Sequence, residues 1–180
     1  MLLRSTLVFL ALAAVMWSPP ASAQSFGSSG TTTMSLTVAA EAAIRVDTDT
    51  TSLGASGTNF ADYTGSTNFT YRVRTKAGGT GSITLRVTSD FPAGGPSVAS
   101  PPTAGDALSY TCTVASPGTG CNSSQTASTT GETNVATFGA NAKSLRDGTG
   151  GNSVSWLLTN DPQYSTGTYS ATVTFTISTT

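Results

Sequence analysis

The 180-residue chain has no histidine, only two cysteines and only 9% charged residues. Without histidine there is no Ser-His-Asp or Cys-His catalytic arrangement, no His-containing zinc site and no ordinary physiological pH switch. No Gly-x-Ser-x-Gly, Ser-x-x-Lys or Walker-type loop occurs, and the nine carboxylates are scattered with no acid pair that sequence places together. An enzyme is therefore not expected, nor a cofactor. Eight basic residues stand against nine acidic ones, with no basic run, so nothing recommends a nucleic-acid partner. What the chain has in abundance is serine and threonine, roughly a third of its residues, well above usual usage. Hydroxyl-rich, β-branched composition favours strands and turns over helices.

The first 23 residues read as a secretory signal peptide: Arg4, an apolar stretch from Thr6 to Trp17, the breaker Ser18-Pro19-Pro20, and Ala21-Ser22-Ala23, with cleavage before Gln24. The Ala-x-Ala ending is associated with bacterial export. The apolar stretch is shorter than the roughly 20 residues of a membrane span, and no second one follows, so no membrane span is expected in the mature chain. Its destination is outside the cytoplasm: extracellular, cell surface or periplasm. In an oxidising compartment Cys112 and Cys121 should pair, because Pro117-Gly118 and Gly120 between them mark a turn that folds the chain back.

Residues 24–33 are rich in Gly and Ser and read as a flexible leader. From residue 34 onward apolar residues alternate with polar ones, the period of a half-buried strand. Met34, Leu36, Val38, Ala40, Ala42, Ile44 and Val46 share one parity and predict a long first strand. Phe69, Tyr71 and Val73 predict a second, and Ile83, Leu85 and Val87 a third, joined to it by a hairpin loop at Ala77–Gly81. Asp90–Asp106, with four prolines and three glycines, reads as a surface connection. Further strands are predicted at Leu108–Val114, Val135–Ala140, Val154–Leu158 and Tyr169–Ile177. About seven short strands without any helical period predict a single antiparallel immunoglobulin-like β-sandwich over residues 34–180.

Candidate sites are few. Asp47-Thr-Asp49 and Asp147-Gly-Thr-Gly-Gly-Asn152 carry oxygens of the kind that bind Ca²⁺, but such runs read first as turns, and no metal is expected. Trp156 shares parity with Val154 and Leu158 and reads as a core anchor, whereas Phe60, Tyr63 and Tyr164 lie in connections suited to exposed aromatic contacts. Asn68 and Asn122 open glycosylation-type triplets. Arg72, Arg74, Lys76 and Arg86 fall on the polar faces of two predicted hairpin partners, forming a candidate contact surface for an acidic neighbour or an anionic polysaccharide.

A signal peptide, the long alternating segment MSLTVAAEAAIRV, a cysteine pair and a closing GTYSATVTFTIS together resemble pilin-type subunits, particularly the secreted spore-coat-U-like and chaperone-usher relatives. The likeness is strongest over Thr166–Ser178 and is one of pattern. It implies an incomplete sandwich completed by a neighbour's N-terminal strand, hence a structural or adhesive subunit that associates with itself or with other surface subunits. Met34–Val46 is then either the donated strand or the domain's own first strand. The alternative is a monomeric extracellular module that binds carbohydrate or another surface ligand.

Overall fold

The computed structural model describes residues 29–180, and the predicted signal peptide lies outside the described residues, as do residues 24–28 of the predicted leader. Residues 29–40 have no regular secondary structure. Thr37–Thr180 form one compact unit, an antiparallel all-β sandwich, with no helix among the described residues. Its strands are β1 (Glu41–Val46), β2 (Gly54–Ala55), β3 (Tyr63–Arg74), β4 (Gly81–Ser89), β5 (Leu108–Thr113), β6 (Gly118–Gly120), β7 (Gln125–Thr126), β8 (Thr133–Phe138), β9 (Thr149–Leu158) and β10 (Thr172–Thr179). One sheet has the order β1-β3-β9-β5-β7, with β2 also on β3, and the other has the order β10-β4-β8-β6.

The two-residue period decides which side chains meet between the sheets. Phe69, Tyr71 and Val73 from β3, Ile83, Leu85 and Val87 from β4, Tyr110 from β5, and Val154, Trp156 and Leu158 from β9 are buried there, each at least 94% removed from solvent. Fully burying side chains of this size stabilises by about 1.5–3 kcal/mol each, which is what drives the two sheets together. Polar groups carried inside are paired. Tyr71 donates to the Ala115 carbonyl (2.7 Å) and Tyr110 to Thr133 Oγ1 (2.7 Å). Asn152 Nδ2 donates to the carbonyls of Phe69 (3.0 Å) and Thr149 (2.7 Å), while its Oδ1 accepts from Ala115 N–H (2.9 Å).

Several expectations need correction. Ten strands replace about seven, because β2, β6 and β7 are two or three residues long and too short to display a period. The strand expected from Met34 begins only at Glu41, since its partner β3 ends at Arg74, opposite Glu41, and leaves Met34–Ala40 no ladder to join. The last strand starts at Thr172 and not at Tyr169 for the same reason: Thr172 pairs with Ser89, where β4 ends.

The predicted hairpin of β3 and β4 does not form either. The chain crosses from one sheet to the other between them. Thr75 is buried in that crossing, donating to the Gly139 carbonyl (2.7 Å) and accepting from Ala142 N–H (2.8 Å). Gly79 passes so close to the carbonyl of Thr180 that no Cβ fits there.

Candidate functional site: a cleft beside two open strand edges

β1 and β10 are the outer strands of their sheets on the same side of the sandwich, and they lie against each other. Their inward residues are poorly covered compared with those of the strands they pair with. Val173, Phe175 and Ile177 of β10 are half-buried, whereas their partners Val87, Leu85 and Ile83 are at most 1% exposed. Ala42 and Ile44 of β1 are likewise half-buried opposite buried Val73 and Tyr71. Among the described residues β10 pairs with β4 on one side and with no strand on the other, which leaves its outer edge without a ladder partner.

Beyond Val46 the edge strand is interrupted. β1 covers the second half of β3 and β2 touches only its first two residues, with residues 47–53 between them. There a cleft of about 1070 Å³ opens, floored by Leu108, Trp156, Leu158, Val173 and Phe175 and bordered by Thr48–Leu53 on one side and Thr166–Ala171 on the other. Its floor is braced: Trp156 Nε1 donates to Thr67 Oγ1 (2.8 Å), which shares a hydrogen bond with Thr51 (2.6 Å). Phe60, Tyr63, Tyr164 and Tyr169 line it, with the Tyr169 ring seated over Gly95, where a Cβ would collide with it.

Carboxylates gather at this end of the sandwich. Asp90 accepts from the N–H groups of Phe91 (2.9 Å), Val98 (2.9 Å) and Ala99 (3.0 Å) and from Ser97 Oγ (2.8 Å), which holds the Asp90–Asp106 connection in place. Burial works to raise its pKa, but these hydrogen bonds prevail and hold it below the usual carboxylate range. Asp106 accepts from Tyr164 Oη (3.2 Å), and Asp161 accepts from Thr103 Oγ1 and from Gln163 N–H (2.8 Å). Partial desolvation and the neighbouring charges of Asp161 and Asp62 push Asp106 up. Desolvation and then the Asp106 charge raise Tyr164.

Of the other predicted residues, Cys112 and Cys121 are bonded, with Cα atoms 5.3 Å apart. Trp156 is buried as a core residue, and Phe60 is exposed, while Tyr63 and Tyr164 are half-buried. Within the candidate first strand, Met34, Leu36 and Val38 are 91%, 86% and 59% exposed, and only Ala42 and Ile44 pack against the core. Asp47 is committed to its own sheet: Thr70 Oγ1 and Arg45 Nε each donate to it at 2.6 Å, and they lower its pKa. Asn152 is a buried cross-link, and Asp147–Asn152 turns into β9 with Gly148 and Gly151 at positive φ (99° and 77°).

The four-residue basic surface is divided. Arg72 and Arg74 lie on β3 and Arg86 on β4, strands of different sheets, because the expected hairpin is a crossing. Arg74 bonds instead to the Ala39 carbonyl (2.7 Å) and to Glu41 (3.2 Å). Its actual neighbour is Lys143, bridged to it from the connection after β8. The cleft and the carboxylate group around Asp106 are not legible in the sequence, since they join distant segments, as Asp106 and Tyr164, 58 residues apart; only the odd density of Pro and Gly in Asp90–Asp106 hinted at a structured connection.

Comparison with known proteins yields no match to a family model, to a curated protein or to a solved structure.

Proposed function

We propose that this protein is a secreted, non-enzymatic structural or adhesive surface subunit of pilin-like character, assembled by β-strand donation between copies. The observation that carries the reading is the half-covered inward row of β10 beside a free strand edge and an apolar cleft. An extended segment added along β10 satisfies its free backbone groups and places alternate side chains on Val173 and Phe175, the logic of β-strand addition. The chain carries a segment of matching pattern in Met34, Leu36 and Val38, which alternate and stand exposed. At about 3.3 Å per residue, the seven residues 34–40 extend roughly 23 Å, enough for a strand nearly as long as β10.

Gel filtration and negative-stain imaging of the protein, with and without a peptide of residues 31–40, test this. Oligomers or filaments that the peptide suppresses are the expected result. A monomer at all concentrations that ignores the peptide overturns it. That outcome favours the second reading, a monomeric binding module, for which the specific observation is the aromatic lining of Phe60, Tyr63, Tyr164 and Tyr169 beside Asn160 and Asp161, a surface suited to stacking and hydrogen-bonding sugar rings.

A further inference from the structure

The strand registers place the charges of this molecule at opposite ends. β3 runs from Tyr63, beside Leu158 and thus close to Leu108, to Arg74, beside Glu41. The end where β3 finishes also holds the crossing residue Lys76 and the connection from Phe138 to Thr149. Gathered there are Arg72, Arg74, Lys76, Lys143 and Arg146, with Glu41 and Asp147 among them and the ion pair of Arg45 and Asp47 further in, beside Thr70. At the other end are Asp62, Asp90, Asp106 and Asp161. No lysine or arginine occurs in residues 47–71, 87–142 or 147–180, the stretches that carry these acids. A net charge of −1 conceals a strongly polar molecule.

The two ends also differ in the chain they present. Thr37–Ala40 joins β1 at the basic end, where Arg74 holds the Ala39 carbonyl. The cleft opens at the acidic end, among Asn160, Asp161 and Tyr164. We infer that the basic end of one copy docks on the acidic end of the next, so that complementary charge sets the direction of a head-to-tail assembly. Such a contact is heterologous and does not close on itself unless the rotation forms a ring, so it propagates. Like ends repel, and this excludes head-to-head pairing. The inference rests on the strand-donation reading, adding to it the partner surface and the polarity.

The two are separable because residues 31–40 contain no charged side chain. Binding of that peptide therefore reports the cleft alone and should be insensitive to salt. Assembly of whole chains, followed by light scattering, should slow at least ~10-fold between 20 and 500 mM NaCl as long-range attraction is screened. R72E/K76E/K143E/R146E alters exposed side chains and should assemble at least ~10-fold more slowly at low salt while binding the peptide as the wild type does. D62K/D106K, whose two lysines offset the remaining Asp90 and Asp161, should also assemble more slowly than the wild type, and D62N/D106N, where the lysines impair folding, should do so to a lesser degree. Mixing the quadruple variant with D62K/D106K should speed assembly above that of either variant alone, since the intact basic end of the second then meets the intact acidic end of the first, and the other contact faces an end without net charge. A quadruple variant that assembles at the wild-type rate, or a mixture that stays inert although both chains bind the peptide, overturns the inference and leaves strand donation standing. A wild type that neither assembles nor binds the peptide overturns both.

Discussion

Substituting serine at both Leu36 and Val38 separates two roles that these residues could play. In the chain itself Leu36 is 86% and Val38 59% exposed, and neither belongs to a strand, so little apolar burial is lost when they become polar. Surface changes of this kind alter stability by about 0.5 kcal/mol or less, and the melting temperature should stay within ~2 °C of the wild type. Seated in a neighbour's cleft, the same two side chains would each contribute about 1.5–3 kcal/mol through burial. Their joint loss, about 3–6 kcal/mol, corresponds to roughly 10²–10⁴-fold weaker association. The measurements are thermal unfolding of the variant chain, and sedimentation or gel filtration of its assemblies over a range of concentrations. A second arm compares 31–40 peptides of both sequences for their ability to raise the melting temperature of the wild type. A double variant that unfolds far below the wild type would make Met34–Ala40 an internal strand of its own domain. One that assembles with unchanged affinity would show that these side chains are not buried on association. Either result refutes the reasoning.

Asn152→Ala should be among the more damaging single substitutions: it removes three hydrogen bonds from a side chain only 1% exposed. At about 1 kcal/mol per bond, the loss of about 3 kcal/mol should lower the melting temperature by roughly 6–12 °C; a shift under ~2 °C would contradict the role given to this residue. Cys112→Ser/Cys121→Ser opens a loop with a sequence separation of 9 and should cost about 2–3 kcal/mol in denaturant titration, and two free thiols in mass spectrometry of the non-reduced wild type would disprove the bond. Because the folded pKa of Asp90 is lowered, its stabilisation is fully present above the unfolded value of about 3.9 and is lost as pH falls through the folded value. Asp90→Asn should therefore melt below the wild type at pH 7, with the gap closing as pH falls below the usual carboxylate range; a gap independent of pH would show that the carboxylate charge is not what the four donors hold.

The alternation of Phe69-Tyr71-Val73, Ile83-Leu85-Val87, Val154-Trp156-Leu158 and Val173-Phe175-Ile177 determined that these segments are strands and which side chains turn inward, because a strand's faces follow directly from a period of two. Cys112 and Cys121 pair across a turn that Pro117, Gly118 and Gly120 already announced. What alternation does not encode is which strands become neighbours, since an inward face is equally satisfied by several partners. So the crossing at Thr75–Thr80, which separates Arg86 from Arg72 and Arg74, was decided by packing between the two sheets. The extent of β1 was decided by where β3 stops. Met34, Leu36 and Val38 follow the same period as Ala42 and Ile44, and only the end of the ladder at Arg74 leaves the former exposed and the latter packed. The cleft, and the polarity that sets Asp62, Asp106 and Asp161 at one end and Arg72, Arg74 and Lys143 at the other, likewise arise from registers between distant segments. A one-dimensional pattern specifies faces, and it takes the pairing of strands in three dimensions to specify edges and ends.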